Sequence, residues 1–211
     1  MIEPAPRAIP DGTRVVIVGA GRAGLAMAFS LLRKGMRPQR DFVLIDESDA
    51  GTTFGREAAR TPTVRQAALP GIRPAGKKYD PMSVEEIVNY LDSYASQLGL
   101  MPVWGTRICA LHVDPSGHGL RLMTDRGDIT TRYVIVTVDP PNERTSDGCH
   151  CISQLNPDHA ERQIPGIFAI TGVSTDRRGL YARTARVARA IATTKRRRRR
   201  PTLGLTLWAT R

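Results

Sequence analysis

The stretch Arg14-Val15-Val16-Ile17-Val18-Gly19-Ala20-Gly21-Arg22-Ala23-Gly24 decides the fold. An apolar run enters Gly19-x-Gly21-x-x-Gly24, and an Ala- and Leu-rich segment follows. A second apolar run closes on Asp46-Glu47 about 20 residues later, the spacing of a dinucleotide fingerprint. Each part has its own task. Gly19 permits the tight turn off the strand, Gly21 removes a side chain where a pyrophosphate approaches, and Gly24 lets helix and strand pack closely. The helix start at Arg22 and Ala23 offers N–H groups and the positive end of a dipole to phosphates. Asp46, with Glu47 beside it, offers a carboxylate to ribose hydroxyls. Glycines that served packing alone would leave the acid at the second strand's tip unexplained.

Working outward, residues 1–13 are Pro-rich and read as a flexible lead-in. A strand is expected over 14–18, and a helix over about 23–34 with Gly35 as its stop. The strand at 42–46 is apolar enough to be covered on both faces. Residues 50–82 carry many Gly, Pro and Thr with weak periodicity and read as irregular chain folded over the nucleotide site. Ser83-Val84-Glu85-Glu86 is a capping box. Behind it Val84, Ile87, Val88, Leu91, Ala95 and Leu98 recur at helical spacing up to Gly99, with Tyr90 and Tyr94 as rim packing.

Residues about 103–139 read as a small antiparallel β-meander. Its strands are expected at 107–113, 120–124 and 133–138, separated by Asp114-Pro115-Ser116-Gly117 and Asp125-Arg126-Gly127-Asp128. The last strand is apolar and suited to return to the parallel sheet. A polar connection runs from Pro140 to Pro165, and a short strand follows in Ile167-Phe168-Ala169-Ile170. A final helix is expected over about 179–194, with Leu180, Ala185, Val187, Ala188 and Ile191 inward and Arg183, Arg186 and Arg189 as a solvent stripe. The fold class is therefore α/β, a Rossmann-like parallel sheet with a β-meander excursion, in one domain over 14–194.

Composition narrows the function. The formal net charge is +11, but seven of those charges lie in Lys195–Arg200 and Arg211, leaving +4 for residues 1–194. Residues 195–211 read as a basic, solvated tail without interleaved aromatics, so no specific nucleic-acid partner is implied. No apolar run is long enough to cross a bilayer, and no signal peptide is visible, which points to a cytoplasmic protein. Cys109, Cys149 and Cys151 form no disulfide framework and fit a reducing compartment. Cys149-His150-Cys151, with His159 as a further ligand, is a poor zinc site, because the spacing is C-x-C and no second pair exists. No metal is expected. The absence of C-x-x-C argues against a dithiol reductase, and the absence of Tyr-x-x-x-Lys against a short-chain dehydrogenase.

Order and motifs together resemble the FAD-binding domain of the flavin-containing and Baeyer–Villiger monooxygenases, within the two-dinucleotide-binding flavoproteins. The resemblance covers residues 14–194. Val15–Gly24 matches the FAD fingerprint, and Phe42-Val43-Leu44-Ile45-Asp46-Glu47-Ser48 the second strand with its ribose acid. Gly51-Thr52-Thr53-Phe54 is similar to the family's Gly-Gly-Thr-Trp, which implies Phe54 along the flavin; Arg60-Thr61-Pro62 is similar to the segment after it. Ile108 stands where the family's backbone meets adenine. Gly166-Ile167-Phe168-Ala169-Ile170 matches the last FAD motif, which implies that Gly172 and Val173 approach the flavin side.

Departures matter as well. The family's Ala-Thr-Gly is here Val136-Thr137-Val138-Asp139, and the Gly-Asp of the last motif is Thr171-Gly172-Val173. The inserted NADPH domain of about 100 residues has no room between Val138 and Gly166, there is no second glycine fingerprint, and the monooxygenase motif with its central His is missing. The resemblance thus implies an FAD-dependent, monooxygenase-like oxidoreductase acting on a small molecule. It would be reduced by transiently docked NADPH, a reductase partner or the substrate, and a second copy of the chain is a further candidate partner. The alternatives are a non-catalytic FAD- or nucleotide-binding module attached to a larger flavoenzyme, or a shortened or decayed copy of one. No side chain is assigned a catalytic role, and His112 and His118 read as surface or turn residues.

Overall fold

The computed structural model describes residues 9–61, 63–113, 119–137, 164–170 and 177–197. In chain order the elements are β1 (Val15–Val18), α1 (Arg22–Leu32), β2 (Phe42–Ile45), α2 (Ala50–Arg60), α3 (Val64–Ala67), α4 (Val84–Gln97), β3 (Ile108–Val113), β4 (Leu120–Thr124), β5 (Gly127–Thr131), β6 (Tyr133–Val136), β7 (Ile167–Ala169) and α5 (Arg177–Arg197). Four strands form a parallel sheet in the order β2-β1-β6-β7, and β3-β4-β5 form a separate antiparallel sheet. The α/β, Rossmann-like arrangement read from the sequence is the one observed.

Side-chain alternation builds the layers. Successive residues of a strand point to opposite faces. Val15 and Ile17 of β1, Phe42 and Leu44 of β2, and Tyr133 and Ile135 of β6 therefore share one cluster with Leu25, Ile87, Leu91 and Val187 from the helices. Val16, Val18, Val43, Ile45, Val134 and Val136 face the other way, onto Ile108, Leu120, Leu122 and Ile129 of the antiparallel sheet. The parallel sheet is thus sandwiched between helices and meander, which is why its strands are apolar at every position. Gly35, at φ +73, ends α1: its N–H donates to Leu32 O at 2.8 Å, and the Met36 N–H to Leu31 O at 3.2 Å.

Four expectations need correction. Residues 50–60 are helical rather than irregular. Asp49 caps α2, accepting from the Thr52 amide at 2.7 Å, and that amide holds the Asp49 carboxyl below its usual range. Two glycines and two threonines weaken the helical signal of Ala50-Gly51-Thr52-Thr53-Phe54-Gly55; the buried Thr53, Phe54 and Ala58 supply the packing that propensity does not.

The third meander strand is β5, not the returning segment. The hairpin loop is Asp125-Arg126 alone, since Thr124 already pairs with Gly127, and β6 is a separate strand that joins β1 in parallel. Tyr90 and Tyr94 belong to the core. The Tyr90 hydroxyl accepts from the Leu69 amide at 2.7 Å and donates to Ile72 O at 2.8 Å, and the Tyr94 hydroxyl donates to Pro70 O at 2.8 Å. Burial pushes the Tyr94 phenol far above its ordinary range. In α5 the inward residue is Thr184, not the exposed Ala185, and Arg183 of the expected solvent stripe is half-buried and donates to Ala169 O at 2.7 Å.

No helix among the described residues is long and apolar enough to cross a membrane. The Cys149-His150-Cys151 stretch, the 198–211 part of the basic tail, Gly172 and Val173 lie outside the described residues.

Candidate functional site: the glycine turn and its surroundings

β1 leads directly into the turn. Gly19 adopts φ +100, a left-handed conformation that a side chain would strain, and its N–H donates to Ile45 O at 2.8 Å. Gly21 is the N-cap of α1 and has no side chain to cap it; the first turn of the helix carries no acidic residue. The N–H groups that begin any helix lack intrahelical partners. Here those of Arg22, Ala23 and Gly24 occupy the first helical positions, while the Leu25 N–H donates to Gly21 O at 2.9 Å.

Gly24 locks the helix against the turn. A β-carbon at this position would stand 1.9 Å from Gly19 O, a contact that no side chain can make. The same β-carbon would lie 3.3 Å from Thr137 Oγ1. Thr137 follows β6, and its hydroxyl lies 2.8 Å from Val18 O and 2.9 Å from Gly19 O, its acceptors. The Thr137 amide donates to Val18 O at 2.9 Å. The returning strand therefore fastens the glycine turn from beneath. The role of Thr137 becomes visible only when β6 is seen beside β1.

Asp46 is placed at the tip of β2 and is 9% exposed. Its Oδ2 accepts from the Ala20 amide at 2.8 Å; its Oδ1 accepts from the Ser48 amide at 2.9 Å and the Thr53 hydroxyl at 3.1 Å. A carboxylate has about four acceptor sites, so the three protein donors leave one site on Oδ2. Asp46 thus joins turn, second strand and α2 before any ligand is considered. Thr106 N donates to Asp46 O at 2.9 Å, and Asp46 N to Val103 O at 3.1 Å, which brings the start of the meander to the same tip. Glu47 is exposed there and pairs with Arg107 at 2.7 Å. The Ile108 side chain is buried beneath the meander at the first position of β3.

Phe54 does not face the solvent side of the site. It is 1% exposed and meets Trp104 edge-to-face, ring centroids 5.6 Å apart. It supports α2 from within the core. Arg22 is also buried, at 3% exposure. Burial pulls its guanidinium below the ordinary value, and the charge of Glu57 on α2 opposes that pull most strongly. Sequence reasoning missed Glu57, because nothing in its local pattern reports that α2 carries it to the turn. Oε1 of Glu57 would lie 2.8 Å from a β-carbon at Gly21. The fit to a dinucleotide is therefore good at Gly19, Gly24 and the α1 start, with one side chain standing in the pyrophosphate's path. Grooves of about 480 and 610 Å³ lie against the meander and between residues 72–82 and α4; neither is lined by residues of the turn.

No family model and no curated protein matches the sequence. Solved structures do match in fold. An oxidized steroid monooxygenase bound to NADP aligns with TM-score 0.51 and 21% identity, over 65% of this chain and 28% of that one. A mutant flavin monooxygenase from Stenotrophomonas maltophilia aligns with TM-score 0.50 and 22% identity, over 61% and 38%. The bacillithiol disulfide reductase Bdr from Bacillus cereus aligns with TM-score 0.50 and 16% identity, over 65% and 44%. The chain spans less than half the length of each. At these identities the likeness is one of fold.

Proposed function

We propose that this chain is the FAD-binding domain of a monooxygenase-like flavoprotein oxidoreductase, holding the ADP half of the cofactor on the turn from Gly19 to Gly24. One observation carries the reading. The turn is fixed by a contact that only glycine permits, Gly24 against Gly19 O, while α1 begins above it without a side-chain cap. That combination leaves backbone N–H groups and a helix dipole directed at one place, which suits a pyrophosphate. The fold likeness to flavoproteins supports the choice of FAD among dinucleotides.

In this reading Gly19, Gly21 and Gly24 shape the cradle, and the Arg22 and Ala23 amides face the phosphates. Asp46 meets the adenosine ribose with its remaining acceptor site, and Glu47 and Ile108 border the adenine. Gly172 and Val173 approach the flavin end. Phe54, buried under α2, supports the site from below instead of stacking on the cofactor. Bound FAD supplies the electron-transfer chemistry; the chain's residues bind and orient it. Reducing equivalents would come from transiently docked NADPH, from a reductase partner or from a small-molecule substrate.

A second reading, a non-catalytic FAD-binding subunit of a larger flavoenzyme, is favoured by the burial of Phe54, which takes from the site the one aromatic ring expected along the flavin. Titration of the purified chain with FAD and with ADP, followed by calorimetry and flavin absorbance, tests both. FAD uptake followed by anaerobic bleaching with NADPH, a reductase or a substrate is the expected result. Uptake with no bleaching by any of these selects the second reading, and failure to take up either ligand overturns both.

A further inference from the structure

The side chain nearest the open face of Gly21 is acidic: it is Glu57, and α2 delivers it there. Thr53 and Glu57 are four residues apart and so lie on one face of the helix. Thr53 bonds Asp46 at 3.1 Å, which anchors that face to the tip of β2, and one turn later the Glu57 carboxylate reaches the space in front of Gly21. That space is where the absent side chain of Gly21 admits a pyrophosphate. The residue is half-buried. Its charge also faces Arg22, buried at the first position of α1.

We propose that Glu57 is a resident anion of the glycine turn: its carboxylate fills the pyrophosphate position in the unliganded chain and is displaced into solvent when a dinucleotide binds. The inference rests on the dinucleotide reading above and deepens it by naming what regulates entry. Two anions cannot share the mouth of one helix N-terminus, because like charges a few ångströms apart repel strongly at a partly desolvated surface. On exchange the pyrophosphate takes over from Glu57 as the anion facing Arg22, so the buried guanidinium keeps a counter-charge in both states. The carboxylate also keeps the unliganded turn compact by complementing the positive end of α1.

The test is calorimetric titration of wild type, Glu57→Gln and Glu57→Asp with ADP and with FAD. Glu57→Gln removes the charge at nearly constant shape. It is expected to bind both ligands about tenfold more tightly than wild type, the scale of one charge-assisted hydrogen bond no longer in competition, while its ligand-free melting temperature falls. Glu57→Asp keeps the charge for Arg22 but withdraws it from Gly21 by one methylene; it is expected to lie between the other two, and it serves as the probe should the glutamine variant not fold. Wild-type binding with equal or weaker binding by the variants overturns this inference and leaves the dinucleotide reading standing. Absence of binding in all three proteins overturns the dinucleotide reading and the inference with it.

Discussion

α1 and α2 meet at the same glycine turn, yet they are held there by different physics. At the turn α1 is seated by the absence of atoms, although Leu25, Met27 and Leu31 bury the helix further along: Gly24 rests its bare α-carbon against Gly19 O, and no side chain caps the helix. α2 is fixed by side chains: Asp49 caps it, Thr53 ties it to Asp46, and Phe54 and Ala58 bury it. A steric contact between two backbones has no alternative arrangement. A carboxylate at the end of a long side chain, such as that of Glu57, is repositioned by rotation about its side-chain bonds. The rigid wall of the site and its adjustable wall therefore come from two helices that look alike as elements. Substitutions at the two helices should separate these modes of anchoring.

The largest effect is expected at Gly24. Gly24→Ala places a methyl 1.9 Å from a carbonyl oxygen that the Thr137 hydroxyl and β1 hold in place. Overpacking of this kind against backbone is expected to cost about 3 kcal/mol, the upper end of the usual range, read as a collapse of the urea midpoint or loss of soluble protein. A variant with wild-type stability would show that α1 can slide and that the contact is not the anchor.

Asp46 joins the two walls, so its loss is expected to be intermediate. Asp46→Asn retains one carbonyl oxygen but turns an NH₂ group toward amides that now need an acceptor. Ala20 N, Ser48 N and the Thr53 hydroxyl all donate to the present carboxylate. A loss of about 2–3 kcal/mol follows from leaving buried donors unsatisfied, measured by chemical denaturation without ligand. If stability is unchanged and only ADP affinity falls, Asp46 is a ligand group first and a joint second.

The same contrast explains what could be read from sequence. β1, β2, β6 and α1 announce themselves because burial on both faces demands unbroken apolar runs, and the Gly24 contact demands glycine. The capping box of α4, with Glu86 accepting from Ser83 N at 2.7 Å, was equally legible. α2 was not, since its residues have poor helical propensity and owe their conformation to packing on Trp104 and α4. Thr137 and Glu57 were illegible for a different reason. Each acquires meaning only from a neighbour far along the chain, Gly19 in one case and Gly21 in the other. The sequence pattern offers Ile108 and Asp46 to the ligand, and burial gives both a structural duty as well.

The smallest effect is expected at Gly55, and its sign is opposite. Gly55 lies within α2, and a β-carbon there would meet nothing within 4 Å. Alanine loses less backbone entropy than glycine on entering a helix, so Gly55→Ala is expected to stabilise the chain by about 0.5–1 kcal/mol. The measurement is the shift in urea midpoint, set beside the same Gly→Ala change at Gly24. Because the new methyl touches neither Glu57 nor the turn, ADP affinity should stay at the wild-type value. A rise in stability with unchanged affinity would mean that α2 can be made firmer as a helix without altering what Glu57 does at the turn. A fall in affinity would mean instead that ligand entry requires the helix backbone to bend, and that the adjustable wall yields as a whole.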